Sequence, residues 1–86
     1  YLGIVGDERD GMYRIEQRNK FSVGEMIEIM KPDGKNVEAR VRRIVDEEGN
    51  EQESAPHPKQ VLYVDLEYVR GGLRPVRYDI LRRAEA

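Results

Sequence analysis

The sequence predicts an all-β domain, a small closed or nearly closed barrel of about six strands. Three observations carry this. Apolar residues recur at every second position in separate short runs, Ile27 and Ile29, then Val37, Ala39 and Val41, then Leu62, Val64 and Leu66, the period of a half-buried strand. Between the runs stand turn formers, "DERDG", "KPDG" and "DEEGN", rich in the Asp and Gly that reverse a chain tightly. With 86 residues there is material for one core, and a closed barrel protects the strand edges that so small an open sheet would expose.

In order along the chain, Leu2 to Val5 and Met12 to Glu16 are expected to form a first hairpin around "DERDG". The polar run from Glu16 then gives way to Phe21 and Val23, which are expected to anchor the entry to a strand, with Gly24 permitting the turn. Ile27 and Ile29 pair through the Pro-Asp-Gly turn with Val37, Ala39 and Val41. Continued alternation would place Arg43 inside, so a bulge near Arg42 or Arg43 is expected to bring Ile44 inward. Val37, Val41, Ile44 and Val45 also fit an amphipathic helix, but Pro32 to Gly34 and Gly49 bracket a segment of β length. Glu51 to Ser54 reads as a short edge strand, and "APHP" breaks any regular element. "QVLYVDLEYV" is the most strand-like segment, "RGGLRPV" a loop, and "RYDILRR" closes the chain with Ile80 and Leu81, as a strand or a helical turn.

Composition narrows the function. The formal charge is −2, so any nucleic-acid surface must be a local patch. There is no cysteine, which removes disulfides, thiolate catalysis and cysteine-based zinc sites. No apolar run approaches the roughly 20 residues that span a bilayer, so membrane insertion is not expected and the cytoplasm is the expected location. The opening at Tyr1 suggests a domain, residues 1–86, excised from a longer protein.

Catalytic residues are not expected. His57 is the single histidine and lies between two prolines, and neither Ser22 nor Ser54 sits on a nucleophile elbow. "DEEGNE" lacks the ligand spacing of a calcium loop, and Gly3, Gly6, Gly71 and Gly72 form no phosphate-binding signature; their expected role is backbone permissiveness. Neither a metal nor a cofactor is expected. Binding fits better: Arg14, Gln17, Arg18, Asn19 and Lys20, then Arg40, Arg42 and Arg43, with His57 and Lys59, could face RNA or another partner, arginine forks holding phosphates and the amides adding directional bonds. Tyr68, Val69 and Leu73 are expected to offer an apolar contact to a neighbouring domain at one end of the barrel.

Taken together, "EQRNKFSVGEMIEI", "DEEG", "APHPKQ" and "DILRR" resemble the C-terminal domain of the peptidase U32, or collagenase-like, family over nearly the whole chain. The resemblance implies a barrel like the second domain of translation elongation factors, accessory to a larger catalytic domain. Members of that family have been labelled proteases, while others resemble enzymes that hydroxylate tRNA or ribosomal RNA by a prephenate-derived route. The implied role is non-catalytic, positioning a substrate, with tRNA or ribosomal RNA ahead of peptide; the alternatives are an interdomain docking and stabilising module, or part of a peptidase acting on proteins. "DLEYVRGGLRPVRY" is longer and more charged than the link expected in that family.

Overall fold

In a computed structural model, which describes residues 2–55, 60–71 and 74–84, the chain turns first at Asp10 and Gly11. Both take positive φ, 54° and 79°, the left-handed pair that matches the twist of a two-residue hairpin. The turn is therefore shorter than the "DERDG" reading: β1 runs through Gly3–Arg9 and β2 through Met12–Gln17, with a register irregularity between Val5 and Glu8.

Two short strands, β3 at Phe21–Ser22 and β4 at Met26–Met30, lead into the long β5 at Val37–Asp46. Ile27 faces Ala39 and Ile29 faces Val37 across the β4–β5 pair, as the alternation requires. The predicted bulge is present: register shifts between Val41 and Arg43, and both Ile44 and Val45 are buried while Arg42 and Arg43 stay exposed. One extra residue thus keeps two arginines out of the core. After β6 (Glu51–Gln52) and β7 (Ser54–Ala55) come β8 (Val61–Arg70) and β9 (Ile80–Arg83). The end of the chain is thus a strand, not a helical turn, with Leu81 inward and Ile80 outward.

Six strands close a ring, β4–β9–β1–β2–β8–β5 and back to β4, all antiparallel, with β6 added beside β5 and a separate β3–β7 ribbon. Closure removes the unpaired edges, and the inward positions, among them Val5, Ile15, Ile27, Ile29, Val41, Ile44, Leu62, Val64 and Leu81, merge into one buried cluster. Phe21 joins it, but Val23 is 41% exposed, so only Phe21 anchors the entry. The described residues contain no helix long and apolar enough to cross a membrane.

The antiparallel ring sorts the connections between two ends. One end, the base, carries the β2–β3 link, the β3–β7 ribbon and the 46–50 turn. The other, the top, carries the Asp10–Gly11 turn, residues 31–36 and the described part of the β8–β9 link.

Candidate nucleic-acid interface

The outward positions of β2, β8 and β5 form a charged wall, with Arg14, Arg40, Arg42 and Arg43 interleaved with Glu16, Glu38, Asp65 and Glu67. Arg14 stands opposite Tyr63 across the β2–β8 pair, and Tyr63 stands opposite Val45 of β5. The guanidinium of Arg9, carried over the wall by the extended β1, lies 4.3 Å from the centroid of the Tyr63 ring. Stacking engages the flat face of a guanidinium and leaves its N–H edge available to an anion. One step along β8, Asp65 pairs with Arg43 in the strand register, and Arg42 Nε lies 3.9 Å from Asp65 Oδ2.

The wall's remaining charges are partly neutralised. Arg43 donates to Glu51 at 2.8 Å, and Arg40 stands opposite Glu67 and donates to the Gly24 carbonyl at 3.0 Å. Such exposed pairs are worth little individually, about 0–1 kcal/mol, so a phosphate can replace a carboxylate partner at small cost. The predicted arginines Arg14, Arg42 and Arg43 are therefore brought to one wall, and Arg40 sits further up it. Arg9 and Tyr63 are the additions. Arg9 falls in the turn-like "DERDG", and only its place on a strand reveals its stacking; the alternation of Leu62, Val64 and Leu66, which turns Tyr63 outward, is the signal for Tyr63.

The polar run at the base divides. Arg18 pairs with Glu16 at 3.0 Å on the exposed rim, Asn19 and Lys20 are exposed, and the Lys20 carbonyl accepts from Arg83 at 2.7 Å. Gln17 does not fit a ligand contact. It is fully buried, and its Nε2 donates to the Ala55 carbonyl and, at 3.1 Å, to the Asn19 carbonyl, tying the β3–β7 ribbon to the barrel. Gln17→Ala should leave both carbonyls without this donor and destabilise the fold by about 1–3 kcal/mol, read from urea unfolding; a smaller loss would mean that the ribbon holds without it.

His57, Lys59 and Leu73 lie outside the described residues. Tyr68 and Val69 are 38% and 55% exposed at the top, away from the rim. Partial burial and a hydrogen bond with Tyr13 push the Tyr68 hydroxyl above its usual range. At the base, Asp46 is held below its ordinary value of 3.8 because the Asn50 and Glu48 amides donate to its carboxylate. It caps the 46–50 turn. Among the described residues no three His, Cys, Asp or Glu side chains gather as a metal site.

Comparison with known proteins places this barrel. The tRNA hydroxylation protein P1 of Bacillus subtilis (strain 168) is 36% identical over 69 residues, 78% of this chain but 16% of that protein. The chain thus spans a small fraction of the length of that relative. The crystal structure of the C-terminal domain of a candidate U32 peptidase from Geobacillus thermoleovorans superposes with a TM-score of 0.79 at 29% identity, covering 99% of this chain and 92% of that one. Its selenomethionine form gives 0.78 at the same 29%, over 96% of this chain and 98% of the other. The model of the peptidase family U32 C-terminal domain matches residues 1–82, and the chain belongs to that family.

Proposed function

We propose that this barrel is a non-catalytic accessory domain of a longer U32 protein and that its wall holds RNA, with tRNA favoured, for a catalytic domain elsewhere in the polypeptide. The observation that carries the reading is the Arg9–Tyr63 stack beside Arg14. An ordered guanidinium flanked by a second arginine suits phosphate oxygens, and an aromatic ring suits an unstacked base. The name of the Bacillus subtilis relative, which refers to tRNA hydroxylation, supports the choice of RNA over peptide. On this reading the domain supplies binding free energy and orientation while bonds change elsewhere.

The test is tRNA binding by the longer protein across a salt series. The triple variant Arg9→Gln, Arg14→Gln, Arg42→Gln is expected to weaken binding about tenfold near 0.1 M salt and to reduce the salt slope by about 2–3, since each lost phosphate contact contributes roughly 0.7–0.9. Unchanged affinity and slope would remove RNA from this wall. In that event the docking role, rather than substrate positioning, accounts for the domain.

A further inference from the structure

Six large hydrophobic residues are exposed among the described residues, and five of them, Tyr68, Val69, Val76, Tyr78 and Ile80, belong to the end of β8, the start of β9 or the link between them; the sixth, Val23, lies elsewhere. Scattered surface hydrophobics are ordinary, but a concentration at one end marks a contact. Within that end is an open groove of about 620 Å³ lined by Lys31, Pro32, Arg74, Val76, Tyr78 and Asp79, among others. Its base is rigid. Lys31 Nζ donates to Asp79 Oδ2 at 2.5 Å and to the Arg74 carbonyl at 2.6 Å, and the same Asp79 oxygen accepts from the Val76 amide at 3.0 Å.

Tyr78 adds a second observation. Its φ is 75° and its side chain belongs to a residue 76% exposed, so a bulky side chain occupies a left-handed position that Gly or Asn would occupy with less strain. Its ring lies 5.9 Å from the Arg77 guanidinium, which itself pairs with Asp7. The Tyr78 amide donates to the Val5 carbonyl at 2.8 Å, which holds the backbone of this residue at the groove's edge. Strained backbone kept in place by the surrounding structure is characteristic of contact sites.

We infer that this groove seats a segment from the remainder of the longer U32 polypeptide, one presenting an aliphatic side chain flanked by a carboxylate. The aliphatic group matches Pro32, Val76 and Tyr78. The carboxylate matches Arg74, for which no ion pair is found among the described residues, whereas Arg77 already pairs with Asp7 and Lys31 with Asp79, and the lining carboxylate of Asp33 accepts from the Lys35 amide at 2.9 Å. The segment is sought in the same polypeptide because the matched stretch is only 16% of the Bacillus subtilis relative, leaving most of such a chain to pack against the barrel. This inference rests on family membership and on the longer-chain part of the proposed function; it is independent of RNA binding.

Hydrogen exchange tests it, comparing the isolated barrel with the same barrel inside the longer protein. A relative's C-terminal domain was crystallised as a separate domain, so the isolated form is a usable reference. Amides of Arg74 and of residues 76–80 are expected to exchange about tenfold more slowly in the longer protein, without RNA, through protection by the docked segment. The variant Val76→Lys, Tyr78→Asn should abolish that protection while the isolated variant melts like the parent barrel, since both sites are exposed and Asn tolerates positive φ. Arg74→Glu, which leaves the apolar lining intact, should reduce the protection too. Equal exchange in both contexts overturns the inference, as does protection that survives these variants, protection that needs added tRNA, or a dimer of the isolated barrel that the variants dissociate. The Arg9, Arg14 and Arg42 variant should leave this protection unchanged, so the two readings fail separately.

Discussion

Lys31→Met is expected to destabilise the barrel by about 3–5 kcal/mol, because the Asp79 carboxylate would keep its buried position and lose its counter-charge. The two side chains are only 5% and 4% exposed, so solvent offers little screening, unlike the exposed pairs along the wall. The ammonium also bonds the Arg74 carbonyl, so the substitution loosens the loop as well as unpairing a charge. For a domain of this size the loss corresponds to a melting temperature lower by at least about 12 °C. Lys31→Met with Asp79→Asn should recover a substantial part, since Asn removes the charge and retains an acceptor for the Val76 amide. Urea and thermal unfolding decide the matter. A loss below about 1 kcal/mol for the single variant would show that the pair behaves as a solvated surface pair.

Gly3→Ala should cost about 2–3 kcal/mol despite the reduction in unfolded-chain entropy that such a change normally brings. A Cβ at Gly3 would lie 2.6 Å from Ile15 Cγ2 and 2.8 Å from the Glu16 carbonyl oxygen. Ile15 is fully buried, and the carbonyl belongs to the paired strand, so neither can retreat cheaply. Gly6 is the internal control: its added Cβ would come no closer than 3.5 Å to Arg14, and Gly6→Ala should be neutral within about 1 kcal/mol. Thermal melting of the two variants should separate them by several degrees. Similar melting temperatures would mean that β1 and β2 can shift apart at Gly3.

These two positions show where local reading stops. Backbone permissiveness was the expected role of Gly3, Gly6 and Gly71. It applies to Gly71, whose φ is 98°, whereas Gly3 is small because two strands approach each other there. Likewise the Lys31–Asp79 pair joins residues from the two sides of the barrel seam, and neither residue carries a local mark of it. Side-chain identity near a turn says little about a partner nearly fifty residues away.

The candidate wall was legible in part. Arg14, Arg42 and Arg43 stand outward because the residues beside them are apolar and inward, and the bulge that exposes both Arg42 and Arg43 followed from the failure of alternation before Ile44. Arg9 was hidden by the acidic turn-like sequence around it, since β1 extends beyond its apolar residues on ladder bonds to β2. Gln17, whose polar neighbours mark it as a surface contact, is instead fully buried. Its burial arises from the β3–β7 ribbon folding across the base, where the Ala55 carbonyl needs a donor.

By itself the sequence determined the strand class, the in-and-out pattern, the bulge at Arg42–Arg43 and the family resemblance, because each is written in residues a few positions apart. Only the tertiary structure decided that β9 closes the ring between β1 and β4, that Arg9 stacks on Tyr63, and that Val76 and Tyr78 join Tyr68 and Val69 at one end. Strand periodicity is a local consequence of the pleat. Which strands meet, and hence which side chains share a surface, depends on closing the barrel around one small core.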